Sequence, residues 1–426
     1  MKTERSTKTK RLIRILLGFT ILGISLILLA IFNPDFRHEL SILKEKFLHG
    51  SKNTELSKSA EADTLKITIP SESFESINIH RDNAIIQGRL SEEQKEEFKA
   101  TLLWKGEDLK CKLRLKGDFP DHWKGDKWSF RINVKGGQKL NRMDKFSIQD
   151  PSTRKELNEW YYHKILAHES LLALKYDFVH VVINEEYKGV YAIEESFAPE
   201  VLKENNRQIG PILKFQEAEW IEQITTDKDL QKDQTEVFNR AKITAFGLKK
   251  IETNRDLSVM FERGQNLLNG LRNGTKPLED VIDIKSSAML HALGDLTGSY
   301  HGLRWHNQRF YYNPDIDRLE MIGFDSGSGI LITDIYLEKW EQNRITENEG
   351  VLVWKDRFFS SAAFRLAYID ALKKISRPKF LKNFNTNIET ELLNYKYLMY
   401  QENNIYKFDL SVYESNAEVI RSYLDK

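Results

Sequence analysis

Residues 293–330, LGDLTGSYHGLRWHNQRFYYNPDIDRLEMIGFDSGSGI, gather Asp295, His301, His306, Asn307 and Asp325 around one predicted hairpin. A predicted helix over 284–296 leads in, residues 310–312 and 319–322 read as strands flanking an NPDID turn, and a Ser-Gly loop leads out. Side chains able to bind a metal ion or move a proton are denser here than anywhere else in the chain. A plain core hairpin needs one or two of them, so the crowding marks a candidate site. Asn307 and Asp325 flank the predicted strand pair, which brings them together and leaves Asp325 at a strand end. Asp315 and Asp317 read as turn residues.

Outward from this hairpin the pattern divides. Toward the N-terminus, Leu65, Ile67 and Ile69 alternate with polar neighbours, and the alternation returns at Cys111, Leu113 and Leu115 and at Phe130, Ile132 and Val134. A mostly antiparallel meander follows from that period. Its opposite face carries Lys112, Arg114 and Lys116, then Lys127, Ser129 and Arg131. Such a row is either solvated surface or a phosphate site, since Arg forks and Lys point charges from adjacent strands converge well on polyphosphate. Residues 154–174 read as an amphipathic helix whose His163 and His168 fall on different faces. A hairpin follows, with strands 176–183 and 190–193 around the turn NEEYKG, and it ends on Glu194 and Glu195. Lys214 stands among apolar neighbours in GPILKF, where a lysine needs a partner such as Glu194 or a ligand phosphate.

Residues 217–283 read as a helical insertion of ordinary solvated composition. Residues 354–426 read as aromatic-rich C-terminal helices. Strands before helices make the chain α+β, with a β-rich segment 64–216, the insertion 217–283 and a segment 284–426 holding the hairpin and the C-terminal helices.

Composition limits the functions available. In 426 residues, 40% hydrophobic and 11% aromatic content supplies a core, and 64 Lys+Arg against 63 Asp+Glu leave a net charge of +1, with no overall field for nucleic acid. The single cysteine, Cys111, rules out an internal disulfide framework. Residues 15–32 hold no charged side chain, and as a helix they extend about 27 Å, against a hydrocarbon core of roughly 30 Å. Lys2, Arg5, Lys8, Lys10, Arg11 and Arg14 precede them with only Glu4 opposing, so the positive-inside rule keeps residues 1–14 in the cytoplasm. The expectation is a single-pass cell-membrane anchor over 15–32, a stalk over 33–63 and an extracytoplasmic main domain. A cleaved signal peptide is the rival, but IFNP after the apolar run lacks a small-x-small cleavage pattern.

The segments LRLKGDFPDHW and KWSFRI, FSIQDPSTR, INEEYKGVYAIEESF, GPILKF and HGLRWHNQRFYYNPDIDRLEMIGFD, in this order, resemble the CotH kinase family of spore-coat protein H type. The resemblance runs over about residues 65–330. It implies an atypical protein-kinase-like fold and a secreted or membrane-anchored Ser/Thr protein kinase using ATP with Mg2+ or Mn2+, acting on an envelope or surface protein. Asn307 and Asp325 then stand where such folds hold the metal against the nucleotide phosphates. The nucleotide-side lysine maps to Lys214 with Glu194 as its partner, with Lys116, Lys127 and Arg131 as alternatives. The family's aspartate base has no direct counterpart: Ser299, His301 and His306 occupy the near positions and Asp295 lies upstream, leaving Asp295, His301 and His306 as rivals for one role. Two other readings stay open. One is an inactive envelope or coat structural protein, and the other is a metal-dependent hydrolase using the two histidines with Asp295 and Asp325.

Overall fold

The computed structural model describes residues 60–226, 235–346, 352–403, 406 and 408–426. The anchor expected at 15–32, its basic flank and nearly all of the stalk lie outside the described residues. No helix among the described residues is long and apolar enough to cross a membrane. The chain forms two units, and the larger, Glu61–Tyr395 with Phe408–Lys426, contains every candidate residue. Of the other unit, Met1–Ala60 with Lys396–Lys407, the described residues are Ala60, 396–403 and 406. Residues 396–402 are the end of the helix Pro378–Glu402.

The N-terminal strands close into a barrel. They are β1 Thr64–Thr68, β2 Phe98–Trp104, β3 Glu107–Leu115, β4 Phe130–Val134, β5 Lys145–Gln149, β6 Tyr176–Ile183 and β7 Glu186–Glu195, in the order β1-β2-β3-β4-β5-β7-β6. All pairs are antiparallel except β1 with β6, the parallel pair that closes the ring. The expected meander is therefore a barrel. Alternation along each strand sends Leu65, Ile67, Leu113, Leu115, Phe130, Ile132, Phe146, Ile148, Val181 and Ile193 into one buried cluster. The turn between β6 and β7 is shorter than NEEYKG. Only Asn184 (φ 47°) and Glu185 (φ 71°) lie outside the ladder, both left-handed, as a two-residue type I′ hairpin requires. Between β1 and β2 lies a helix, Ser71–Gln87, that the periodicity did not reveal. Ile77 and Ala84 are buried while Ile79 and Ile86 are exposed, and no side chain caps its start, so neither an apolar stripe nor a capping residue announces it.

A second sheet has the order β11-β10-β8-β9, with β8 Ile212–Phe215, β9 Ile243–Ala245, β10 Arg309–Asn313 and β11 Arg318–Ile322. The predicted hairpin is present, with Arg309 opposite Ile322 and Asn313 opposite Arg318. Hydrogen bonding puts GPILKF here rather than with the barrel, and Lys214 faces Arg309 across the ladder. The segment read as a helical insertion contributes the strand β9 alongside its helices.

The helix Ile284–Thr297 is buried along most of its length and packs on Ala362–Ile375 and Ser411–Leu424. Asp283 caps its start, accepting from the Lys285 and Ser286 amides, and Gly298 ends it at φ 65°. A Cβ on Gly298 would lie 2.1 Å from the Ile330 carbonyl oxygen, so only glycine lets the two ends of the opening stretch touch. Asn416 secures the same junction. Its amide donates to the Leu296 and Ile330 carbonyls at 3.1 and 2.9 Å, and its oxygen accepts from the Ile332 amide at 3.0 Å.

Asn416→Ala leaves the Leu296 carbonyl and the Ile332 amide buried without a partner, and the half-exposed Ile330 carbonyl with water alone, at about 1–3 kcal/mol for each buried group. Urea unfolding of the full chain in detergent should show a loss of about 3 kcal/mol or more, against a near-neutral result for a surface change such as Lys110→Ala.

Candidate functional site

Lys116 directly follows β3, and its ammonium turns toward the ends of two other barrel strands. It donates to Glu194 Oε2 of β7 at 2.6 Å and to Gln149 Oε1 of β5 at 2.8 Å. Lys116 is 8% exposed and Glu194 3%. Burial alone would raise the Glu194 carboxyl, but the Lys116 ammonium and the Arg154 guanidinium outweigh it and hold the group below the usual carboxylate range. Glu194 is therefore an ionised partner, and its other oxygen, Oε1, is buried without a hydrogen bond.

The partner expected for Glu194 was Lys214. Instead Lys214 lies 3.2 Å from Glu217, which also lies 3.6 Å from Arg309. The cause is topological: Lys214 sits on the second sheet, and the residue opposite it is Arg309 rather than a β7 carboxylate. Of the other cations proposed for the nucleotide side, Lys127 donates to the Val190 carbonyl at 3.1 Å. Arg131 lies on β4 opposite Arg114, and its buried Nε has no hydrogen-bond partner.

Asp325 follows β11 in the left-handed region at φ 49°. Arg154 Nε lies 2.9 Å from its Oδ1, and His301 Nε2 lies 3.5 Å from its Oδ2. Burial would raise the Asp325 carboxyl, yet Arg154 first, then His301 and Lys116, hold it far below the ordinary carboxylate range. The two halves of the site thus share one field, since Arg154 acts on both Glu194 and Asp325. The SGSG run after Asp325 is anchored to the helix Leu157–His168. Ser326 donates through its amide and hydroxyl to Glu159 Oε2, at 3.0 and 2.7 Å, and the Ser328 hydroxyl donates to the Asn158 carbonyl at 2.7 Å.

Asn307 and Asp325 meet through His301: the Asn307 amide donates to the His301 carbonyl at 3.3 Å, while the His301 ring faces Asp325. His306 is buried under Trp220, the rings stacked at 3.8 Å and 19°. Burial, reinforced by His301, Arg304 and Arg309, pushes its imidazole down to about 3, so it is neutral near pH 7. Its Nε2 has no partner, and neither has the buried Nε of Arg309. His301 is the accessible member of the trio, with 43% of its side chain exposed.

Asp295 does not join them. Its Oδ1 accepts from the Tyr300 hydroxyl and the Tyr336 amide, each at 2.8 Å, and its Oδ2 accepts from the Tyr368 hydroxyl. No hydrogen bond or ion pair connects it to His301, His306, Asn307 or Asp325. This removes a ligand that the hydrolase reading needs, and among the described residues no group of three or more His, Cys, Asp or Glu side chains is placed to hold a metal ion. What remains is the Asp325 carboxylate, facing Arg154 and His301, and the Asn307 amide, linked to it through His301. That suits a magnesium ion completed by phosphate oxygens and water, and is too sparse for an all-protein cage.

Lys116 and Arg309 are buried and Arg131, Arg154 and Lys214 part-buried; they meet the carboxylates Glu159, Glu194, Glu217 and Asp325, and the buried Nε atoms of Arg131 and Arg309 have no hydrogen-bond partner. Such an arrangement suits a polyanion. Sequence reasoning passed over Arg154, Glu159, Glu217, Trp220 and Arg309. Arg154 lies inside FSIQDPSTR, but nothing local ties it to a carboxylate 171 positions later.

A family model described as CotH kinase protein matches residues 113–426. The matched span begins within β3 and includes every residue of the site. No curated protein matches the chain.

Burial raises the Asp295 carboxyl to about 6, although three donors pull it down. A carboxyl raised in the folded state favours folding as the acid: that contribution is complete below about 4 and is withdrawn as pH rises through about 6. Between pH 7.5 and pH 4.5, wild type should gain on the order of 2 kcal/mol relative to Asp295→Asn in urea unfolding. Parallel pH profiles for the two proteins would contradict this.

Proposed function

Because the chain belongs to the CotH kinase family, we propose that it is a membrane-anchored, extracytoplasmic, atypical protein-kinase-like phosphotransferase that moves the γ-phosphate of ATP to Ser or Thr of an envelope or surface protein. The observation that carries this reading is the buried Lys116–Glu194 pair, set in one electrostatic field with Asp325 and with cations whose polar atoms lack protein partners. A lysine fixed by a glutamate is how protein-kinase folds present an ammonium to nucleotide phosphates.

In this reading Lys116, oriented by Glu194 and Gln149, contacts the nucleotide phosphates. Arg131 and Arg309 neutralise charge that spreads over the phosphoryl oxygens. Asp325 and Asn307 hold magnesium or manganese, which supplies charge neutralisation at the phosphates. The acceptor oxygen bonds to the γ-phosphorus as the bond to the bridging oxygen breaks, ADP departs, and the acceptor proton passes to the His301 imidazole. His301 is preferred over His306, whose ring is covered by Trp220, and over Asp295, whose oxygens are taken by tyrosines.

One observation favours a second reading, a nucleotide-binding envelope protein without transfer: Arg154 already neutralises Asp325 at 2.9 Å. The two readings separate in one experiment. The full chain in detergent, incubated with γ-labelled ATP and Mg2+ or Mn2+, should incorporate label, falling about a hundredfold or more in Asp325→Asn and in Lys116→Met. Label equal in all three, or absent from all, overturns transfer. ATP-dependent thermal stabilisation without label supports the second reading.

The anchor rests on residues 15–32 and their basic flank. The chain should stay in the membrane pellet through alkaline carbonate extraction, and protease added outside intact cells should digest the main domain. Release by carbonate would overturn the anchor.

A further inference from the structure

The chain leaves β8 through Gln216, whose amide donates to the Lys242 carbonyl at 2.8 Å, and turns into the helix Ala218–Thr226. Glu217 begins that helix, its carbonyl accepting from the Ile221 amide at 2.9 Å. Its carboxylate turns inward. One oxygen, Oε1, lies 3.2 Å from the Lys214 ammonium and 3.6 Å from the Arg309 guanidinium, and Arg131 feels the same charge. Three positions on, and so on the same side of the helix, Trp220 stacks on His306 at 3.8 Å and 19°. The indole Nε1 and the imidazole Nε2 are both buried without a hydrogen bond.

An oxygen shared by an ammonium and a guanidinium is what a phosphate offers such a pair. Burial makes the charges of Lys214 and Arg309 costly, and Glu217 offsets both. A polyphosphate arriving at the same cations brings like charge to that carboxylate, and poorly solvated surroundings enlarge the repulsion. Glu217 and Trp220 share one helical turn, so a carboxylate driven off its cations draws the indole from His306 as well. The Glu219–Arg240 pair at 2.7 Å, with both side chains about half exposed, adds little to hold the helix down.

We propose that the segment from Glu217 to Glu222 is an autoinhibitory cover: Glu217 occupies Lys214 and Arg309 in place of ligand phosphate, Trp220 seals His306, and a polyphosphate ligand displaces the two together. The identity of the ligand rests on the phosphotransfer reading; the cover rests on the contacts themselves. Apparent affinity is reduced by the fraction of molecules in which Glu217 is seated, so removing its charge tightens binding. Loss of a negative charge alone also favours an anion. The decisive readout is therefore His306, which only movement of the cover exposes.

The test is diethyl pyrocarbonate labelling of the full chain in detergent near pH 7, read residue by residue by peptide mass spectrometry. The reagent takes neutral imidazole, which His306 is at that pH. In wild type, His301 should label readily and His306 slowly. In Glu217→Gln without ligand, His306 should label about fivefold or more faster, while His291, buried among the C-terminal helices, stays unlabelled. Calorimetric titration should show Mg-ATP binding Glu217→Gln about fivefold or more tightly than wild type, and binding the surface variant Glu252→Gln as wild type. His306 equally protected in both proteins overturns the cover, as does a rise at His306 matched at His291, which reports loosening of the whole fold. Faster labelling with ATP bound no more tightly overturns the displacement by phosphate. Faster labelling of His306 in the variant when neither protein binds ATP would sink the phosphotransfer reading and leave the cover standing.

Discussion

The Arg154–Asp325 ion pair holds the two sheets' contributions to the site in register. Arg154 ends the 310 turn Pro151–Arg154 after barrel strand β5, and Asp325 follows β11 of the second sheet. Two charges out of water are tolerated only when each satisfies the other, and removing one leaves the other buried and uncompensated. Neither the barrel turn nor the loop after the hairpin can therefore move alone. The serines that follow Asp325 extend the constraint by tying the loop to Glu159 and Asn158, so its left-handed backbone is fixed from two sides.

With that frame in place, the remaining charges sort into linked groups. Lys116, Glu194 and Gln149 join the ends of three barrel segments, while Lys214, Glu217 and Arg309 join β8 to β10. Arg131 feels carboxylates of both groups, Glu194 and Glu217. Among these groups Arg131 Nε, Arg309 Nε and Glu194 Oε1 are buried without hydrogen bonds. Unmade hydrogen bonds of this kind are expensive. A phosphate-bearing ligand with metal and water would supply acceptors to the guanidinium groups and donors to the carboxylate.

Much of this was legible where the signal is local. Period-two alternation located β1, β3 and β4, the run 176–183 matched β6 to its ends, and the opening stretch matched the β10–β11 hairpin. Pairings between distant segments were not legible. β1 closes the barrel on β6 more than a hundred residues away, and GPILKF left the barrel for a second sheet, carrying Lys214 out of reach of Glu194. Both candidate lysines have apolar neighbours, so composition could not separate Lys116 from Lys214; only strand order does. The helix Ser71–Gln87 was missed for a different reason, because its apolar residues do not align on one face.

The three rivals for the base are separated by environment rather than residue type. Asp295 is a carboxylate kept from the site by tyrosines, and burial raises it toward the neutral acid. His306 is an imidazole kept neutral by burial, with one ring face against Trp220. His301 alone combines solvent access with a carboxylate neighbour, and that carboxylate belongs to the proposed metal ligand. Under the phosphotransfer reading, proton acceptance at His301 would strengthen its attraction to Asp325 just as metal and Arg154 compete for the same group.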